Sequence, residues 1–199
     1  RNPNSENPFE PVRDEMLTRA KVPMTKEEVR WVSVARLGVQ PGDTVWDIGA
    51  GTGAVTFELA RKAMDGAVFA VERNTEAIEL IAQNRQKLGG FNVHIVQGHA
   101  PEVLADLPKP NCVFVGGSGG NMRKIIETTL IKNPKARIVV NAIALETLQE
   151  TQRLFAEFAL HQVEITQLSA ARGKSIGCYT MMTANNPVFI LSGKGAKYG

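Results

Sequence analysis

Asp47-Ile48-Gly49-Ala50-Gly51-Thr52-Gly53 decides the fold of this chain. It follows a short apolar run at 44–48 and leads straight into a helical pattern at 55–63. Glycine lets the backbone turn sharply there and approach a ligand with no Cβ in the way. The helix N-terminus beyond it offers free N–H groups and partial positive charge, which suit a carboxylate or a phosphate. Glu72 lies nineteen residues after Gly53, at the end of the next apolar run. A carboxylate at that place can accept hydrogen bonds from both hydroxyls of a ribose.

Outward from this turn the chain alternates. Strands are predicted at 44–48, 67–71, 92–96, 112–115 and 137–141, and helices at 55–63, 75–88, 121–131 and 145–158. In the second of these helices Ala77, Ile78, Ile81 and Ala82 share one face. Short apolar strands separated by helices imply a parallel sheet covered on both sides. Upstream, Thr25-Lys26-Glu27-Glu28 reads as a capping box that opens a helix to about Leu37. Residues 1–22, with Pro3, Pro8 and Pro11, read as an N-terminal arm, and 23–199 as a single domain.

The C-terminal part differs. Runs at 163–168 and 187–191 have no helix pattern between them, so they form an antiparallel pair. Five parallel strands followed by such a pair is the Rossmann-like α/β layout of class I methyltransferases that use S-adenosylmethionine (SAM). Gly49, Gly51 and Ala54 also satisfy the looser dinucleotide fingerprint. Asp47, the third glycine at 53 and the terminal pair favour SAM, with S-adenosylhomocysteine as product.

Two further loops carry chemistry. The third strand ends in Gln97-Gly98-His99-Ala100-Pro101, where SAM enzymes usually have Gly-Asp-Ala with the Asp on the adenine amino group. A neutral imidazole can accept there only in one tautomer, and a surface histidine is the plainer reading. The fourth strand ends in Gly116-Gly117-Ser118-Gly119-Gly120, which matches the nucleophile elbow of hydrolases. No Asp follows Ser118 to complete a triad, and exposed N–H groups of this loop can instead hold a substrate carboxylate. His94 and His161 have no ligand-spaced partners, so no metal is expected.

Composition excludes other classes. The length of 199 residues suits one domain. Two widely spaced cysteines, Cys112 and Cys178, make no disulfide framework, and no apolar stretch is long enough to cross a bilayer; a cytoplasmic protein without membrane attachment is expected. A net charge of +3, with no basic run and few aromatics, does not point to nucleic acid.

These residues together resemble the decarboxylating precorrin methyltransferases of cobalamin biosynthesis. The resemblance rests on Val22–Arg30, Asp47–Gly53, Val71-Glu-Arg-Asn74, Glu76–Glu79, Gly98–Glu102 and Gly116–Gly120, and downstream on Val139–Ala142, Leu145–Thr147, Ala171–Gly173 and Asn186–Val188. It implies methylation of carbon 15 of (cobalt-)precorrin-6B and loss of carbon dioxide from the ring C acetate, in a homotetramer. It carries SAM contacts onto Thr25, Gly49, Ala50, Gly51, Thr52, Gly53, Glu72, Arg73, Gly98, His99 and Ala100. The tetrapyrrole's carboxylates need cations or backbone donors, and Gly117, Ser118, Gly119 and Arg172, with Lys174, are the candidates. No side chain is singled out as the catalytic acid or base. A SAM methyltransferase acting on protein or RNA is the other reading.

Overall fold

The computed structural model describes residues 10–196. Its centre is a seven-stranded sheet in the order β3-β2-β1-β4-β5-β9-β6. The first five strands in chain order are β1 (Thr44–Ile48), β2 (Ala67–Glu72), β3 (Val93–Gln97), β4 (Cys112–Val115) and β5 (Arg137–Ala142). All of these run parallel, and β9 (Val188–Lys194) pairs antiparallel with both β5 and β6 (His161–Leu168). The expected layout with its terminal antiparallel pair is therefore what forms.

The central strands read as near-continuous apolar runs because both faces are covered. Helices α1 (Glu27–Leu37), α2 (Ala54–Lys62) and α3 (Thr75–Leu88) cover one face, where Val45, Phe57, Ile81, Phe114 and Val139 meet. Helices α4 (Met122–Lys132) and α5 (Leu145–Glu157) cover the other, where Trp46, Ile125, Ile138 and Phe155 meet. At the N-terminal ends of the strands, Arg137 pairs with Asp43 at 2.6 Å beside Cys112. Burial pushes the Cys112 thiol up to about 12, so it is inert.

Three features depart from expectation. The capping box at Thr25 does not form: Lys26 is the N-cap, without a side-chain bond, and Glu28 turns to Arg172. An additional hairpin, β7 (Ala171–Ile176) with β8 (Tyr179–Ala184), stands apart from the main sheet. The described part of the expected arm, 10–22, packs on the domain, with Val12 and Leu17 buried in the α1–α2 core.

Buried Arg30 fixes that segment. Its guanidinium donates to the Val12 carbonyl, to the Thr25 carbonyl at 2.7 Å and to Asp14 at 3.2 Å. Farther along, Asn84 of α3 exchanges bonds with Thr18 and donates to the Thr52 carbonyl. The segment 12–25 is thus held as a strap beside the glycine turn. Arg30→Met should lower stability by about 3 kcal/mol or more, the scale of breaking a buried ionic contact. Urea unfolding measures the loss, and amide exchange should be fastest across 12–25.

Candidate active site

The site is built where the sheet order reverses, between β1 and β4. Loops leaving neighbouring strands to opposite sides open a cleft beyond the carboxyl ends, the usual ligand position in open α/β sheets. Gly116 N–H donates to the Ile48 carbonyl at 2.9 Å, which folds the β4 loop over the end of β1. A Cβ on Gly49 would lie 2.7–2.9 Å from the Gly117 backbone, so no larger residue fits at 49 without moving that loop. Gly51 and Gly53, at φ +56 and +79, complete the turn into α2. The resulting cleft has a volume of about 860 Å³.

Glu72 closes one wall. Its Oε2 accepts from Gly51 N–H at 2.9 Å, and its Oε1 accepts from Arg73 and Asn74 N–H at 2.8 and 2.9 Å. These bonds fix the carboxylate and tie β2 to the glycine turn. Each carboxylate oxygen has about two acceptor positions, so Oε2 keeps one for a ligand hydroxyl.

Asp47 lies deeper and is fully buried. Thr56 Oγ1 donates to its Oδ2, while Oδ1 has no partner, nor does the buried Oγ1 of Thr52. Desolvation, reinforced by the nearby Glu72 charge and opposed by the Thr56 bond, raises the Asp47 carboxyl to about 7. Both residues border the cleft, so these are polar atoms that await a bound group.

The cleft brings together Thr25, Gly49 through Thr52, Glu72, Arg73, Gly98, His99, Ala100, Gly117, Ser118 and Gly119 from the sequence candidates, while Gly53 falls outside its lining. It does not include Arg172. That guanidinium, on β7, grips Glu28 through two bonds of 2.6 and 2.7 Å and reaches Asp14 at 3.2 Å. Arg172 holds the Glu28 carboxyl below its ordinary range, and Glu28 raises Arg172 in turn. Its charge is spent on latching the hairpin to α1 and the strap. Ser118 Oγ has no histidine or carboxylate bonded to it among the described residues, so no nucleophile elbow is assembled.

The chain matches the sequence model of a family described as "Precorrin methyltransferase domain" over residues 18–194. It belongs to that family. A Pyrobaculum calidifontis relative named "Probable cobalt-precorrin-6B C(15)-methyltransferase (decarboxylating)" is 42% identical over 182 residues, 90% of this chain and 93% of the relative. The crystal structure of precorrin-6y C5,15-methyltransferase from Geobacter metallireducens superposes with a TM-score of 0.87 at 35% identity, covering 92% of this chain and 97% of that one. That of precorrin 8W decarboxylase from Methanobacterium thermoautotrophicum gives 0.85 at 37%, covering 93% and 100%.

Two residues of this precorrin methyltransferase domain were not among the site candidates. Asp47 was visible as the acid ahead of the glycines, but its orphaned oxygen follows only from burial. Asn141, a lone amide in the apolar run of β5, also borders the cleft. The single Ser33 hydroxyl proton is shared between the Val29 carbonyl at 2.7 Å and Asn141 Oδ1 at 2.9 Å, and Asn141 Nδ2 is buried without a partner.

Asp47 gives a signed pH dependence. Between its ordinary value of 3.8 and about 7, the folded protein keeps a proton that the unfolded chain has lost. Stability should therefore fall as pH rises through that window, by up to about 1.4 kcal/mol per unit, and level off above it. Denaturant unfolding of the parent and of Asp47→Asn at several pH values isolates the effect, because the variant lacks this slope.

Proposed function

We propose that this chain is a SAM-dependent C-methyltransferase of corrin biosynthesis, methylating carbon 15 of (cobalt-)precorrin-6B and removing the ring C acetate carboxyl as carbon dioxide. The observation that carries the reading is membership of the precorrin methyltransferase family over nearly the whole chain, joined to a cleft whose chemistry fits SAM. The fit rests on the unpartnered Asp47 Oδ1 and Thr52 Oγ1 and on the positive-φ glycine turn at Gly49 and Gly51 that lines the cleft.

In this reading the methionine end lies on Gly49–Gly53 beneath Thr25, one ribose hydroxyl donates to Glu72 Oε2, and the adenine lies beside Gly98, His99 and Ala100. SAM supplies an electrophilic sulfonium methyl. The acceptor is an electron-rich ring carbon, so the protein's task is alignment and exclusion of water rather than proton transfer. The Gly49–Gly117 contact sets the cofactor loop against the substrate loop, and Gly117, Ser118 and Gly119 face the same space. The ring itself provides the electron sink for loss of carbon dioxide, which is consistent with a cleft whose mouth holds no paired acid and base among the described residues.

A homo-oligomer, read as a homotetramer, fits the hairpin. Ile176, Tyr179, Met181 and Met182 are all exposed there, a concentration of apolar surface that a second copy would cover. The two cysteines are free, in keeping with a reducing cytoplasm, and among the described residues no helix is long and apolar enough to cross a membrane.

Glu72 tests the cofactor half of the proposal. Removing a charged acceptor should weaken SAM binding by about 1.5–3 kcal/mol in Glu72→Ala. Calorimetric titration measures this directly, and unchanged affinity would remove SAM from this wall of the cleft.

A further inference from the structure

We infer that Arg73, with the backbone N–H groups of Ser118, Gly119 and Gly120, forms the site for a carboxylate of the tetrapyrrole, the part that Arg172 does not take. The inference rests on the functional reading above and names the cation on which the substrate is held.

The charge inventory of the cleft leads to it. On its cofactor side the Glu72 carboxylate carries the negative charge. A polycarboxylate substrate is repelled from that side and must find cations at the mouth. Among the charged residues that border the cleft, Lys26 and Arg73 are the cations. Three arginines elsewhere are occupied: Arg123 with Glu157, Arg137 with Asp43, Arg172 with Glu28. The Arg73 guanidinium has no acceptor among the described residues, although its own N–H helps to fix Glu72. Main chain and side chain are thus divided: one shapes the cofactor wall, the other is free.

Placement gives the second argument. Arg73 Nη1 lies 3.8 Å from where a Cβ on Gly119 would be, so the side chain reaches from the end of β2 to the β4 loop. Gly119 and Gly120 hold φ of +56 and +84, and the N–H groups of Ser118, Gly119 and Gly120 have no acceptor among the described residues. Any side chain at 119 would be strained by the positive φ. A planar guanidinium beside unpaired N–H groups matches a carboxylate, with charge-assisted bonds from one side and backbone bonds from the other.

SAM also carries a carboxylate, so the source must be separated. Steady-state kinetics with cobalt-precorrin-6B at saturating SAM, and calorimetry with SAM alone, should be run on the parent, Arg73→Gln and Arg73→Lys. The expected result is a KM for the tetrapyrrole raised at least about tenfold in Arg73→Gln, with kcat and the SAM Kd within about twofold of the parent. Arg73→Lys should recover part of the loss, since charge remains without the fork. A weakened SAM Kd with unchanged tetrapyrrole KM would assign Arg73 to the cofactor and overturn the inference. Unchanged values of both would overturn it as well, with turnover by the parent showing that the functional reading survives. A parent that does not turn over the tetrapyrrole overturns that reading, and the inference with it. Arg73 is exposed, so an unaltered unfolding midpoint confirms that each variant is folded.

Discussion

The close contact of Gly49 with Gly117 is the constraint on which the site depends. Both backbones sit at the carboxyl ends of adjacent parallel strands, and neither has a side chain to hold them apart. Because the Ile48 carbonyl takes N–H groups from both Gly116 and Gly117, the β4 loop is pinned over the β1 turn. In the proposed function this places the loop assigned to the methyl donor within reach of the loop assigned to the substrate. A group-transfer enzyme needs that proximity, since holding two reactants in register supplies much of the rate enhancement. Every other wall of the cleft is arranged around this junction.

Those walls are held by ionic contacts from distant parts of the chain. Arg30 ties the strap to α1, and Arg172 ties the hairpin to both through Glu28 and Asp14. Arg30 is fully buried and Arg172 partly exposed. Exposed pairs contribute little on their own, whereas a buried guanidinium that satisfies two carbonyls and a carboxylate specifies one arrangement of the strap. The contacts that hold the strap beside the cleft therefore also fix the base of the exposed hairpin.

Much of this was legible in the sequence, and the misses have physical reasons. The strands of the parallel sheet stood out because burial on both faces makes them short apolar runs, and Asp47–Gly53 announced its turn through glycines that the conformation requires. The hairpin did not stand out: 171–184 reads Ala-Arg-Gly-Lys-Ser-Ile and Tyr-Thr-Met-Met-Thr-Ala around its turn, and with both faces exposed it shows no alternation. The capping box at Thr25 failed because Glu28 is drawn to an arginine 144 residues away, a partner that no local pattern reveals. For the same reason Arg172 looked free in the sequence and is latched in the fold. Arg73 is the reverse case: the resemblance gives it a SAM contact, and the fold leaves its guanidinium at the cleft without an acceptor among the described residues.

In the proposed function a methyl-donor cleft meets a tetrapyrrole substrate, and one active site performs both the methylation and the decarboxylation. Mass spectrometry of the product formed from SAM and cobalt-precorrin-6B tests this directly. The expected product gains one methyl group and loses one carbon dioxide on the same molecule, with S-adenosylhomocysteine released in equal amount. A tetrapyrrole recovered unchanged, or one that gains a methyl group and keeps all of its carboxylates, would contradict it.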